Sequence, residues 1–85
     1  MKIGSAGTLE SNDALVTVQE GVGIVVSIDS IVDAFFHDRI EAAVRGELAR
    51  MKKQNVHVTI QDKGALDFTL RARVRTAIER MEGSQ

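Results

Sequence analysis

Apolar residues recur at every second position from Ala14 to Gln19, with Ala14, Val16 and Val18 on one face. The same alternation returns from Gly23 to Ile28, where Ile24, Val26 and Ile28 share a face. Period-two alternation rich in β-branched residues predicts two strands. Glu20-Gly21 lies between them and suits a hairpin turn, because glycine tolerates positive φ. A different period begins at Asp29-Ser30. Val32, Phe36, Ile40, Ala43, Val44, Leu48 and Met51 recur at steps of three and four, the stripe of an amphipathic helix. Ser30 and Asp33 have the spacing of a capping pair at its start, and Lys52-Lys53 place cations at its end. Val56, Val58 and Ile60 then alternate with His57, Thr59 and Gln61, which predicts a third strand. After Gly64, a second helical stripe runs through Leu66, Leu70, Val74, Ala77, Ile78 and Met81.

These elements predict an α+β fold in the order strand, strand, helix, strand, helix. A small antiparallel or mixed three-stranded sheet is covered on one face by two helices. The first two strands are expected as antiparallel neighbours. The crossover through the long helix leaves the third strand open to parallel pairing with the second, right-handed if so, and the pattern does not give the strand order beyond that. Residues 1–13 are small and polar, with two glycines, and read as a flexible segment anchored by Leu9. Gly83-Ser84-Gln85 reads as a frayed end.

Composition narrows the function without naming it. Eighty-five residues allow one domain, 1–85, with little material for an enclosed pocket. An apolar fraction of 44% and a charged fraction of 27% are those of a folded chain. Eleven basic against twelve acidic residues leave a net charge of −1, so no field attracts nucleic acid or an anionic membrane. Three Phe and no Tyr or Trp offer no stacking platform for single strands. No cysteine is present, which excludes disulfides, thiolate metal sites and a cysteine nucleophile. Neither a signal-like apolar stretch nor a membrane-length apolar run occurs, and a cytoplasmic location is expected.

No catalytic residue and no metal ligand set is predicted. His37 and His57 are isolated and read as surface or rim residues. Asp62 and Asp67 flank a glycine turn and suit capping as well as catalysis. Gly4, Gly7, Gly21 and Gly23 have neither P-loop nor dinucleotide-binding spacing. A carrier or an interaction module is the better class. Two serines then compete as a point of attachment. Ser30, in Asp29-Ser30-Ile31, has a superficial likeness to the Asp-Ser-Leu pantetheine site of fatty-acid carriers, but reads as a helix cap. Ser11 lies in the N-terminal segment, and on its own reads as a solvated loop hydroxyl. On the second helix, Arg71 and Arg75 border one side of the apolar stripe, and Arg73 and Arg80 the other. They suit pairing with local acids along the core edge. Alternatively Lys63, Arg71 and Arg73 suit contact with phosphates or a partner, since guanidinium matches phosphate geometry. Phe35, off the main stripe, suits either the core or a partner contact.

Longer segments bear on the choice between the serines. Ala6-Gly7-Thr8-Leu9-Glu10-Ser11 resembles the Ala-Gly-Thr-Leu-Glu-Ser segment of the acyl-carrier (gamma) subunit of citrate lyase. Asp62-Lys63-Gly64-Ala65-Leu66-Asp67, followed by Leu70-Arg71-Ala72-Arg73, is similar to a second stretch of that family. Ile28-Asp29-Ser30-Ile31-Val32 is a third agreement, and the likeness runs from about residue 2 to about residue 78. The resemblance implies that Ser11 is linked by a phosphodiester to phosphoribosyl-dephospho-coenzyme A, whose thiol a Cys-free chain lacks. It implies a non-catalytic carrier of acetyl and citryl thioesters. The implied partners are the alpha (acyl transferase) and beta (citryl lyase) subunits and the enzyme that installs the arm. The related acyl-carrier subunit of malonate decarboxylase, with the same type of arm, and an interaction module without a prosthetic group are the other readings.

Overall fold

The computed structural model describes residues 2–31 and 33–83, without the side chains of 33–35. Four strands and two helices follow in the order β1 (Ile3–Ala6), β2 (Ala14–Glu20), β3 (Ile24–Ser30), α1 (Asp33–Arg50), β4 (Val56–Asp62) and α2 (Asp67–Gly83). The sheet order is β1-β2-β4-β3. β2 pairs antiparallel with both β1 and β4, and β3 pairs parallel with β4. The α+β class and the parallel pairing of the strands flanking the long helix agree with the sequence. Two expectations about the strands do not hold.

The first is the hairpin. β2 and β3 are not neighbours, because β4 lies between them. Val56, Val58 and Ile60 are almost fully buried, so the chain gives β4 a central place with a partner on each side. The connection at 21–23 crosses the end of β4 rather than closing a hairpin. Gly21 N donates to Asn55 O, and Gly23 N to Asn55 Oδ1. The second is the segment 1–13, which contains a strand. The buried positions of β1, Gly4 and Ala6, are small because α2 lies directly on them. A Cβ at Gly4 would overlap the Ala77 carbonyl oxygen.

One face of the sheet carries the core. Ala14, Val16 and Val18 of β2 and Val56, Val58 and Ile60 of β4 pack with Ile40, Ala43, Val44 and Leu48 of α1 and Leu70, Val74, Ala77, Ile78 and Met81 of α2. Each large apolar side chain so buried contributes roughly 1.5–3 kcal/mol. The opposite face holds the alternate residues, among them Thr17, Ser27, His57 and Thr59. His57 thus points away from the core, as expected. Three residues expected in or near the core are exposed instead. Leu9 is 53% exposed and anchors nothing. Leu66 precedes α2 and is 58% exposed. Phe36 lies under the Arg39 guanidinium, 4.7 Å from its ring centre, at the surface. Val32, the side chains of Asp33 and Phe35, and the end at 84–85 lie outside the described residues.

The register fixes what meets at one end of the sheet. Ala14 is opposite Asp62, and Asp62 is beside Ser30. The loop 7–13, the turn after β4 and the end of β3 therefore converge.

Candidate functional site

Ser11 sits at the corner of a tight turn at that end. Asp13 N donates to Glu10 O at 3.2 Å, which closes the turn Glu10-Ser11-Asn12-Asp13. Asn12 has φ of 67°, the positive value that a type II turn demands at its third position and that Asn tolerates. Ser11 is exposed, and its hydroxyl has no hydrogen-bond partner among the described residues.

The loop is tied to the rest of the molecule on both flanks. Asn12 N donates to Lys63 O at 2.8 Å and Lys63 N to Asp13 O at 2.9 Å. The Asp13 carboxylate receives Arg73 Nε at 3.0 Å and Arg73 Nη2 at 3.1 Å. It also accepts Ala14 N at 2.7 Å and the Thr8 hydroxyl at 2.8 Å. Thr8 Oγ1 in turn accepts Glu10 N. Hydrogen bonding from Arg73 is the main reason that the Asp13 carboxyl ionises at about 2 rather than 3.8. Gly7, at φ 94°, makes the approach possible. A Cβ there would overlap the Ala14 carbonyl oxygen and crowd Arg73 Cδ at 3.2 Å.

Ser30 has a different environment. It ends β3, is half-buried, and donates to Asp62 Oδ2 at 2.7 Å. Asp62 is 2% exposed, and its other oxygen accepts Ala65 N at 2.9 Å. This carboxylate organises the Lys63-Gly64 turn, so of the two acids flanking the glycine one is a buried turn-former. The other, Asp67, faces Arg39 at 3.6 Å on the surface. The capping pair read for Ser30 rests on the Asp33 side chain and so lies outside the described residues.

The three basic candidates separate. Lys63 lies in the turn bonded to the Ser11 loop. Arg73 reaches the loop but is engaged by Asp13. Arg71 points to the other helix, where Glu47, 2% exposed, lies 3.9 Å from it and 2.6 Å from Arg50. The mid-helix Gly46 leaves room for this contact, since a Cβ would meet Arg71 Nη1 at 3.1 Å. Arg80 donates to Ser5 O. Sequence reasoning missed Thr8 and Asp13. Their one signal was their position inside and just after the quoted Ser11 segment.

A cavity of about 500 Å³, lined by Lys2, Glu20, Lys52, Lys53, Asn55 and Glu82, lies at the opposite end of the sheet. Seven-residue β2 separates the ends by roughly 20 Å. No group of His, Asp or Glu that could hold a metal occurs among the described residues, nor does a helix long and apolar enough to cross a membrane.

The family model described as malonate decarboxylase delta subunit (MdcD) matches residues 2–81. The citrate lyase acyl carrier protein of Haemophilus influenzae is 46% identical over 79 residues, covering 93% of this chain and 83% of that protein. Those of Halothermothrix orenii and Streptococcus equi subsp. equi are each 39% identical, covering 89% and 96% of this chain and 82% of theirs. Among solved structures, a Pseudomonas malonate decarboxylase hetero-tetramer in complex with malonate contains a chain of the same fold. Its TM-score is 0.65 at 19% identity, with 94% of this chain and 84% of that chain covered. The chain therefore belongs to the acyl carrier protein family that takes in the carriers of citrate lyase and malonate decarboxylase, and it is a carrier subunit rather than a catalytic one.

Proposed function

We propose that this chain is the acyl carrier subunit of a citrate lyase and that phosphoribosyl-dephospho-coenzyme A is joined to Ser11 through a phosphodiester. The observation that carries the assignment is the contrast between the serines. Ser11 offers an unengaged hydroxyl at an exposed turn, whereas Ser30 is half-buried and bonded to Asp62. The residues fit such a group. A corner serine can enter a modifying enzyme without disrupting a helix or strand. Lys63, beside the loop, supplies a cation for the arm's phosphates.

When attached, the arm supplies the thiol on which acetyl and citryl groups ride during cleavage of citrate to oxaloacetate and acetate. The chain's own task is presentation. It keeps one thioester within reach of the alpha (acyl transferase) and beta (citryl lyase) subunits, at an effective concentration of order millimolar for a short flexible tether. Both steps belong to those subunits, in the cytoplasm. The names of the sequence relatives support citrate as the substrate. A carrier for malonate decarboxylase is the second reading, favoured by the family model and the fold neighbour.

The test is reconstitution. Carrier loaded by its transferase is combined with citrate lyase subunits or with malonate decarboxylase subunits. Turnover of citrate alone is expected, and Ser11→Ala should abolish it while remaining folded. Turnover of malonate alone would move the chain to the second reading. Activity in Ser11→Ala would contradict the attachment site.

A further inference from the structure

Ser11 sits on a loop with no hydrophobic anchor. Leu9 is exposed, as are Thr8, Glu10, Ser11 and Asn12. What fixes the loop is polar. Asp13 gathers the Arg73 guanidinium from α2, the Ala14 amide from β2 and the Thr8 hydroxyl from the loop's own start. Thr8 passes the restraint to Glu10 N, immediately before Ser11. Asp13 and Arg73 are 60 positions apart in sequence, so this contact pins the loop to the finished fold. The geometry points to the Thr8–Asp13–Arg73 network as the device that holds Ser11 for modification, with Asp13 and Arg73 as positioning residues. The inference rests on the reading of Ser11 as the attachment residue.

The chemistry gives such a device a use. In the transfer, the Ser11 Oγ–P bond forms and the phosphoric anhydride P–O bond of an activated donor breaks. The remainder of the anhydride leaves as an anion, and the hydroxyl proton passes to a base on the transferase. An unrestrained loop must be ordered in that active site at the moment of reaction. Fixing one residue's backbone costs about tenfold in rate, and a loop already held avoids this. Arg73 is bonded to Asp13 and not to Ser11, and its role runs through Asp13.

The test uses the full chain, the prosthetic-group transferase and its donor. Loading is followed by intact mass and located by peptide mapping, with hydrogen exchange read over residues 8–12. Asp13→Asn and Arg73→Lys should each lower kcat/KM of loading about tenfold or more and speed exchange in the loop, while thermal unfolding stays well above the assay temperature. Thr8→Val should do the same through the loop alone. Glu82→Gln, which removes the Lys53 ion pair at the far end, controls for stability and should load at the wild-type rate. Wild-type loading by folded Asp13→Asn and Arg73→Lys would overturn the inference, with Ser11 untouched as the site. Slower loading with unchanged exchange would make the pair a transferase contact and also overturn it. Wild-type protein loaded at another serine would overturn the attachment reading, and this inference with it.

Discussion

The Asp13 carboxylate draws the Arg73 guanidinium, the Ala14 amide and the Thr8 hydroxyl to one point. The carboxyl ionises at about 2 in the fold against an ordinary 3.8. A depressed carboxyl stabilises the fold above its unfolded pKa, and that stabilisation is lost as pH falls through the folded value. The contribution of Asp13 is thus whole above about pH 4 and fades toward pH 2. Because Arg73 is 38% exposed, solvent screening reduces it to about 1 kcal/mol. Urea unfolding of Asp13→Asn should show that loss at pH 7, and the difference from wild type should shrink near pH 2. A loss that stays constant with pH would contradict the ion pair. Asp62 predicts a larger effect. Asp62→Ala leaves the buried Ala65 amide without its acceptor and removes the Asp62 bond to the Ser30 hydroxyl, at about 2–3 kcal/mol, measurable in the same way. The sequence marked Ser11, Lys63 and Arg73 as worth attention, but not the Arg73–Asp13 contact. Periodicity reports faces of helices and strands, and an ion pair across 60 positions has no period.

At the scale of elements, the two helices and three apolar strands were legible because each has a buried or, in β3, half-buried face with its own period. β1 was not. Its sequence, Ile-Gly-Ser-Ala, alternates exposed and buried positions, but the buried ones are Gly4 and Ala6. Small residues there are the consequence of α2 lying close, a tertiary requirement with no local signature. Gly4→Ala should therefore destabilise by about 1–3 kcal/mol in urea unfolding, although alanine is the better residue in most settings. A neutral result would mean that α2 does not rest on β1. Strand order escaped the sequence for a related reason. Glu20-Gly21 resembles a hairpin turn, but what decides the pairing is the long-range demand that apolar β4 be central. The misplacement of Leu66 and Phe36 follows from helix ends, where the stripe runs past the last residue that the core can cover.

The whole molecule is a sheet with one covered face and a cluster of loops at one end. That end unites two of the three sequence segments that carry the family resemblance, since loop 7–13 and turn 63–66 bond directly. At that end the exposed Ser11 hydroxyl stands on a loop bonded to the scaffold, which is the arrangement the proposed attachment would use. The proposal that Ser11 bears the arm underlies both the function and the loop network. Its most direct measurement is intact mass of the protein purified from its native host as part of the active complex, followed by peptide mapping. One arm is expected, adding the mass of phosphoribosyl-dephospho-coenzyme A less the water lost on ester formation, with or without an acyl group on its thiol, confined to the peptide containing Ser11. The same mass on the peptide containing Ser30, or an unmodified carrier in an active complex, would contradict it.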